Sequence, residues 1–443
     1  MDWSKQQWSA AVDPPVNRGT VAILSPHFPP ATLAGVHRAR HLARHLPAFG
    51  WQPVIIRADE STYTEPLDPT LAALVPSNLR QIRTGALPSG LMRQVGIGDI
   101  GLRAYQPLAA ALTRLAQAER IDAVLITGSP FYPMLMARMV QTRLALPVIL
   151  DFQDPWISAE GALRPRWSKG GLAHRLALAL EPRAVRHASF VTSVSDRQNS
   201  EMAQRYPWLD RSRMAAIPIG GDPADFEMLR ANPPVNLQVR LDPDRINLSY
   251  VGTFLPRAGA LVRALFAGLR LLCEREPALA NRIRLNFVGT SNQPSGAGAH
   301  LVTPLAAQEG VATLVQETPQ RVPYLEALSL LAQSNGLLMI GSDEPHYTAS
   351  KIYPNLMAKR PFLSLFHDAS SAHAILSAAG GGSAFSFSTL QDLPGLTPAI
   401  ADTLRAMALQ PERFGASDPA VYEPYTARNL AGQFAAVLDK ACA

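Results

Sequence analysis

Short apolar runs recur along the whole chain, each followed by a polar loop and then by a stretch whose apolar residues have helical spacing. Apolar runs of this length, bounded by turn residues, are typical of strands buried in a parallel sheet. Their alternation with helices indicates a doubly wound α/β fold. Strands are predicted over residues 20–25, 53–57, 123–127, 147–151, 190–194, 214–219, 247–251, 283–288, 313–315, 336–340, 362–366 and 384–387.

The length of 443 residues exceeds what one ordinary core accommodates, and the alternation starts again after a break that contains Pro233 and Pro234. We therefore expect two tandem Rossmann-like domains of similar size. Residues 1–17 are predicted to be a loose tail. The expected domain boundaries are 18–220 for the first domain, 221–243 for a linker, 244–415 for the second domain and 416–443 for a segment with the last helix.

Charge restricts the class of partner. Lys and Arg number 41 against 35 Asp and Glu, which gives a net charge of +6, but the basic residues are dispersed along the chain. No basic and aromatic nucleic-acid motif occurs. The composition therefore favours an anionic small ligand or an anionic membrane surface, and no nucleic acid.

The expected compartment is the cytoplasm. Cys273 and Cys442 form neither a disulfide framework nor a metal-ligand spacing, so no metal site is predicted. Residues 1–19 lack the apolar core of a secretory signal, and no run of 18 apolar residues occurs. Association with the cytoplasmic face of a membrane is a further expectation from the basic charge.

The polar stretch 341–361, GSDEPHYTASKIYPNLMAKRP, lies between two predicted strands of the second domain. In open parallel sheets, ligands bind where strands end and the next helix begins. Ser350 is predicted to cap that helix, whose free N–H groups would suit a phosphate, and Lys351 would add positive charge. The alternative is an ordinary capped helix with a solvated lysine.

Candidate residues in the first half also follow predicted strands. Asp154 is predicted either to position an acceptor hydroxyl or to be a turn residue, and the neighbouring Trp156 can stack on a sugar. His27, in the first loop, either contacts phosphate or acceptor or is a surface histidine. The opening unit lacks G-x-G-x-x-G, so a nicotinamide enzyme is not supported.

The predicted helix over residues 36–46 is rich in Arg and His. Two interpretations are open for it, namely a solvated helix face and a basic surface that leans on anionic lipid.

The order of motifs resembles that of the GT-B glycosyltransferases, and within them the family-4 type of retaining sugar-nucleotide transferases. The resemblance extends from about Val21 to Leu438. It rests on Gly35, Ser129-Pro130, Asp151-x-x-Asp154-x-Trp156, Ile217-x-x-Gly220-Gly221-Asp222 with Phe226, Tyr250-Val251-Gly252-Thr253, Phe287-Val288-Gly289, Ser350-Lys351-Ile352-Tyr353, Leu356-Met357-Ala358 and Arg360-Pro361.

The resemblance implies a retaining, metal-independent glycosyltransferase that uses a nucleoside-diphosphate sugar as co-substrate and no other cofactor. The acceptor it implies is a glycan or lipid-linked precursor of a surface polysaccharide, bound by the first domain, and the last helix is expected to pack back on that domain. The catalytic candidates are Asp154, Arg257 and Lys351, since positive groups must neutralise the leaving diphosphate. The donor-side candidates are Gly35, Gly252, Thr253, Arg257, Gly289, Glu344, His346, Tyr347, Ser350, Lys351 and Ile352. The acceptor-side candidates are His27, Ser129, Asp151 and Trp156.

The chain also departs from the family pattern. Many members have two glutamates eight positions apart in the stretch 341–361, where this chain has His346 and Pro354 in one register. An arginine that often follows the Val-Gly of the second domain is Thr253 here. Two other functions therefore stay open, a non-catalytic sugar-nucleotide-binding or scaffold subunit and a nucleotide-sugar epimerase of the same fold.

Overall fold

The structure is a computed structural model that describes residues 17–94, 98–291, 298–345 and 350–443. It divides into two compact units. The first comprises Met1–Ile219, within its described part, together with Ala427–Ala443, and the second comprises Gly220–Thr426.

The first unit contains a seven-stranded parallel sheet in the order β3-β2-β1-β4-β5-β6-β7. Consecutive strands run to one side of β1 and then to the other, as in a doubly wound fold. The strands are Gly19–Leu24 (β1), Trp51–Ala58 (β2), Arg80–Thr84 (β3), Ala123–Gly128 (β4), Val148–Phe152 (β5), Phe190–Ser193 (β6) and Met214–Ala216 (β7).

Helices cover both faces of this sheet. Alternate residues of β1 lie in two different core clusters, Val21 and Ile23 with residues of α1, and Ala22 and Leu24 with residues of α5. A strand that is buried on both faces shows this period of two. The helices are Val36–His45 (α1), Pro69–Ala72 (α2), Ser89–Gln94 (α3), Ile100–Arg103 (α4), Tyr105–Ala118 (α5), Ala137–Met139 (α6), Ala159–Ala162 (α7), Lys169–Val185 (α8) and Asp196–Arg205 (α9).

The second unit contains a six-stranded parallel sheet in the order β10-β9-β8-β11-β12-β13. Its strands are Ile246–Val251 (β8), Ile283–Val288 (β9), Val315–Thr318 (β10), Gly336–Ile340 (β11), Phe362–His367 (β12) and Gly382–Phe387 (β13). Its helices are Pro223–Ala231 (α10), Gly259–Arg275 (α11), Pro277–Ala280 (α12), Thr303–Gln308 (α13), Tyr324–Gln333 (α14), Ile352–Met357 (α15), Ser371–Ala379 (α16), Thr397–Leu409 (α17) and Pro419–Tyr422 (α18).

The last helix, Ala427–Cys442 (α19), belongs to the first unit. It packs on α1, and its Leu430 and Phe434 join the core cluster that contains Val21 and Leu42. Burying that apolar stripe is what brings the end of the chain back to the first sheet.

Three details differ from the expectations. The stretch 60–101, in which no strand was predicted, contains β3, which is an edge strand and mostly polar. The expected linker 221–243 contains α10, which belongs to the second unit because it packs on α14 and Asp225 accepts a hydrogen bond from Tyr324 over 2.9 Å. The first unit resumes at residue 427 instead of 416, since residues 416–426 belong to the second unit.

Candidate functional site

Strands β8 and β11 lie side by side in the second sheet, and the connections that leave them lead to opposite sides. A crevice forms outside the carboxyl ends of two such strands, and this is where open α/β sheets bind ligands. The loop after β8 contains Gly252, Thr253 and Arg257, and the segment after β11 contains Asp343, Glu344 and Lys351. The fold therefore brings six polar or glycine positions to one edge.

Two glycines allow the backbone to be approached closely at this edge. Gly252 has a φ of +133° and Gly289 a φ of +73°, in the region that favours glycine. A Cβ on Gly252 would lie 3.4 Å from Cδ and 3.6 Å from Nζ of Lys351, and a Cβ on Gly289 would lie 3.9 Å from the Gly252 nitrogen. Gly252, Gly289 and the Lys351 amine are thus neighbours, as the donor-site prediction requires.

Lys351 is the most perturbed cation of this edge. Its amine donates to the Tyr250 hydroxyl and, over 3.3 Å, to the Thr253 carbonyl, and it lies 4.1 Å from the centroid of the Tyr250 ring. Burial lowers the pKa of Lys351 from 10.5 to about 7. A nearby anion would reverse this shift, because an opposite charge favours the ammonium form.

Arg257 is held by two carboxylates. Its guanidinium donates to Asp343 over 2.5 Å and to Glu344 over 2.7 Å, and its side chain is 57% exposed. An anionic ligand at this edge would therefore compete with two acids for Arg257. The sequence predicted a basic group here and Glu344 as a donor-side residue, but the ion pair between them could not be inferred from spacing.

The helix after β11 differs from the prediction. It begins at Ile352, and Ser350 makes no side-chain cap; instead, the side chain of Asn355 donates to the Lys351 carbonyl over 2.7 Å. Ile352 is fully buried in the second unit, so the predicted contact of this residue with a donor is not supported. His346 and Tyr347 lie outside the described residues.

The next helix N-terminus at this edge, that of α11, has no side-chain cap. This 17-residue helix follows the β8 loop directly. Its first N–H groups can therefore donate hydrogen bonds to a phosphate, which is the role predicted for the helix after Ser350. The Thr253 carbonyl accepts hydrogen bonds from the Lys351 amine and from the Tyr250 hydroxyl, the second over 2.7 Å.

Glu317, which the sequence did not single out, occupies a different helix N-terminus. Its carboxylate accepts from the backbone N–H groups of Leu301, Val302 and Thr303 over 2.8 to 3.0 Å, and from the Thr290 hydroxyl over 2.7 Å. Burial alone would raise its pKa, but these hydrogen bonds outweigh burial and lower it. The start of α13 is therefore already neutralised by this chain and is not a phosphate site.

In the first sheet, β1 and β4 are the neighbouring strands with oppositely directed connections. His27 lies in the loop after β1. It is 8% exposed, which contradicts the surface interpretation, and its Nε2 is 3.4 Å from Glu65 Oε2. That contact is the largest cause that lowers the pKa of Glu65 to about 2. His27 is therefore a buried residue beside Glu65, and neither of its ring nitrogens makes a hydrogen bond of ordinary geometry among the described residues.

Gly35 and Ser129 also meet at this edge. A Cβ on Gly35 would lie 3.1 Å from Gln153 Oε1 and 3.7 Å from the Ser129 carbonyl. Gln153 is 6% exposed, and its side chain lies near enough to Asp151 to oppose the rise in the pKa of that carboxyl, but neither its amide oxygen nor its amide nitrogen makes a hydrogen bond of ordinary geometry among the described residues. Because a buried amide without a partner is costly, Gln153 is a candidate ligand group that the sequence reasoning missed. Its position between Asp151 and Asp154 was the available signal.

Asp151 has a structural role in place of the predicted acceptor contact. It is fully buried, its carboxylate pairs with Arg38 Nε over 3.1 Å, and Thr192 donates to it over 2.8 Å. Burial raises the pKa of Asp151 and lowers the pKa of Arg38, while their mutual attraction opposes both shifts. An acceptor cannot reach this carboxylate.

The same contacts overturn both interpretations of the basic helix. Arg38 also donates to the carbonyls of Ile217 and Pro218 and lies 4.8 Å above the ring of Phe434 in α19. Arg40 is fully buried beside His37 and His41, and burial, followed by the charge of Arg40, lowers the pKa of His37 to about 3. Helix α1 is thus a buried helix, neither solvated nor available to lipid.

Asp154 is exposed just beyond β5, although the protein atoms around its carboxylate displace water and raise its pKa. Trp156 stacks on Phe131 with ring centroids 5.4 Å apart and meets the edge of Tyr132 at 6.0 Å. One face of the indole is therefore covered by protein. Asp154 stays accessible to an acceptor, while Trp156 belongs to an aromatic cluster that borders it.

Two searches of the described residues gave negative results. They contain no group of three His, Cys, Asp or Glu side chains that could hold a metal ion. Among the helices in the described ranges, none has both the length and the apolarity needed to cross a bilayer.

Solved structures with this two-sheet architecture include glycosyltransferases of the GT-B fold. Anabaena HepE in complex with UDP-glucose has 16% identity and a TM-score of 0.58, with 95% of this chain and 99% of that chain covered. The α,α-trehalose 6-phosphate synthase of Burkholderia multivorans has 13% identity and a TM-score of 0.59, with 95% and 98% covered. A glycosyltransferase of Rickettsia africae has 14% identity and a TM-score of 0.56, with 96% and 99% covered. The chain therefore has the GT-B fold.

A sequence comparison covers most of the first unit. Residues 34–220 match the model of the glycosyl transferase 4-like domain. The match begins beside Gly35 and ends where the second unit begins. No curated protein sequence matches the chain.

Proposed function

We propose that this protein is a retaining, metal-independent glycosyltransferase that moves a sugar from a nucleoside-diphosphate sugar to a hydroxyl acceptor. The glycosyl transferase 4-like domain and the GT-B fold support a transferase. The uridine nucleotides in the HepE complexes make a UDP-sugar the first donor to test. The acceptor that we propose is a glycan or lipid-linked precursor of a surface polysaccharide, met in the cytoplasm or on the cytoplasmic face of a membrane.

One observation carries the donor-site assignment. The amine of Lys351 lies beside the backbone of Gly252 at the carboxyl edge where β8 and β11 separate. A diphosphate that leaves the sugar gains negative charge, and a preorganised cation at that position stabilises the transition state more than the ground state. Because its pKa is about 7, Lys351 is poised to become charged as the anion binds.

The remaining donor contacts follow from the same edge. Phosphate oxygens would accept hydrogen bonds from the uncapped N-terminus of α11 and from Arg257, which would exchange Asp343 or Glu344 for the phosphate. The carboxylate so released would become available to the ribose hydroxyls. On the first sheet, the accessible Asp154 and the amide of Gln153 are the groups that we assign to the acceptor.

Nucleotide binding tests this proposal directly. Thermal unfolding with UDP, GDP, dTDP, CMP and ADP, each with EDTA, should show a higher melting temperature for one nucleotide, because a ligand specific for the folded state stabilises it. Lys351→Ala should then weaken binding of that nucleotide about 12- to 150-fold, the loss of a charge-assisted contact of about 1.5–3 kcal/mol.

Arg282→Ala is the matched control for lost charge. Arg282 is exposed in the same unit but precedes β9, so it lies at the opposite edge of the sheet. Equal loss of affinity in the two variants would mean that Lys351 acts only through net charge. Unchanged affinity in Lys351→Ala would remove Lys351 from the site.

A non-catalytic nucleotide-sugar-binding subunit is the second candidate. It is favoured by the pairing of Arg257 with two carboxylates and by Pro354, where relatives with the family pattern have a glutamate. Binding of the intact sugar nucleotide without release of the nucleotide, over a panel of hydroxyl acceptors, would support this candidate over the transferase.

A further inference from the structure

Helix α8 and the loop before it present apolar side chains to solvent. Leu163 is 86% exposed and Trp167 is 81% exposed, and Leu172, Leu176 and Leu178 are each 44–48% exposed. We name the exposed side chains of residues 163–186 the α8 patch. Several large apolar side chains exposed within one short segment of a folded unit are typical of an interaction site.

The register of the helix fixes this exposure. Ala177, Glu181 and Ala184 are buried and define the inward stripe of α8. Leu172 and Leu176, four residues apart, lie on the opposite side of the helix, where Ala179 and Arg183 continue the outward stripe at the spacing of one helix face. The leucines therefore cannot turn inward without displacing the buried stripe.

The charged residues of the patch are all positive. Its exposed cations are Arg164, Arg166, Lys169, Arg175, Arg183 and Arg186. The one acidic residue between 163 and 186 is Glu181, which is buried and accepts hydrogen bonds from Arg205 and Tyr206, both over 2.9 Å. No exposed carboxylate of the segment offsets the six cations, so the patch combines apolar and positive character.

We propose that the α8 patch binds an anionic phospholipid surface. Leucine and tryptophan side chains insert at the boundary of the acyl chains, while arginine and lysine contact the lipid phosphates above it. The guanidinium of Arg175 lies 5.4 Å from the centroid of the Trp167 ring. Tryptophan prefers the headgroup region of a bilayer, where a neighbouring arginine can contact the lipid phosphates. Six exposed cations and no exposed carboxylate in residues 163–186 fit a surface of a single charge sign, which an anionic bilayer presents along its whole extent.

This binding surface is independent of the proposed transferase activity. It also differs from the basic helix α1, in which Arg38 and Arg40 are buried. A failure of the nucleotide test would leave the lipid proposal standing, and a failure of the vesicle test below would leave the donor site standing.

The test uses the full chain and co-sedimentation with phosphatidylcholine vesicles, with and without phosphatidylserine. We expect binding to the anionic vesicles alone, with an affinity that falls as salt is added. The double variant Trp167→Ser and Leu172→Ser should lower the partition coefficient about tenfold or more, because two side chains no longer enter the bilayer. Its melting temperature should be unchanged, since both side chains are exposed in the folded protein.

Two control variants make the result specific to the patch. Leu409→Ser removes a leucine that is 42% exposed in the second unit and should bind as the parent protein does. Trp3→Ser with Trp8→Ser changes two tryptophans of residues 1–16, outside the described ranges, and should also bind normally. The proposal is overturned if the parent protein ignores anionic vesicles, if the patch variant binds equally, or if the tail variant alone loses binding. The proposal is also overturned if the parent protein is a dimer and the double variant is a monomer, because the patch would then hold two copies together.

Discussion

Nucleotide affinity should depend on pH through Lys351. In the free protein its pKa is about 7, so half of the amines carry a proton at pH 7 and about one in thirty at pH 8.5. A diphosphate beside the amine should return its pKa towards 10.5, so that the bound amine is charged at both pH values. Binding then takes up a proton, and affinity should fall about 15-fold, or about 1.6 kcal/mol, between pH 7 and 8.5.

The direction of this dependence follows from which state is protonated. Well below pH 7 the free amine already carries its proton and the affinity no longer changes through Lys351, whereas well above pH 7 nearly every molecule must gain a proton as it binds. Isothermal titration calorimetry from pH 6.5 to 8.5, in buffers of different ionisation enthalpy, measures both the affinity and the proton uptake. This range avoids the protonation of the terminal phosphate near pH 6.

Two substitutions separate the lysine from other titrating groups. Lys351→Arg keeps its charge throughout the range, so its affinity should be nearly independent of pH. Lys351→Met cannot take up a proton and should bind weakly at every pH. A parent protein whose affinity is flat from pH 7 to 8.5, or an Lys351→Arg variant that retains the full pH dependence, would refute the assignment of the proton to Lys351.

Two further substitutions test the first unit. Asp154→Asn should leave nucleotide affinity unchanged but slow nucleotide release from the sugar donor about tenfold or more. The control Asp210→Asn, at an exposed turn, should leave this rate unchanged. Equal rates in the two variants would mean that Asp154 is only a turn residue. Arg38→Met should lower the free energy of unfolding by about 3–5 kcal/mol in urea, because it leaves Asp151 as a buried charge without its partner. Arg18→Ala, which removes an exposed ion pair with Asp439, should cost less than about 1 kcal/mol, and similar losses in both would contradict the structural role of Arg38.

Much of the fold could be predicted because strands buried on both faces leave a strong local signal. The run 336–340 and the loop glycines Gly252 and Gly289 lie where the alternation of strands and helices put them. Strand β3 was missed because its sequence, RQIRT, is that of a polar edge strand. The helix after β11 begins at Ile352, with Lys351 at the N-cap position that was predicted for Ser350, and the sequence has no feature that distinguishes these two neighbouring starts.

The candidate site was predictable in position but not in its pairings. Parallel topology alone brings the loops after β8 and β11 together, so Arg257 and Lys351 could be assigned to one edge. Arg257 pairs with Asp343 and Glu344, and Arg38 pairs with Asp151. The partners in these pairs are 86 to 113 positions apart in the sequence. A single sequence contains no local pattern for such pairs. The basic helix α1 was misjudged for the same reason, because Phe434 of α19, which lies over Arg38, is almost 400 residues further along the chain.

The return of α19 makes the first unit discontinuous in the sequence. While the chain is being synthesised, the strands and helices up to residue 219 emerge without the helix that covers Leu42 and Arg38, and the whole second unit is made before that helix follows. A fragment that stops at the unit boundary would expose this apolar face. Loss of the last 16 residues would therefore damage the sheet that begins at Gly19, at the other end of the chain, while leaving the second unit's own core complete.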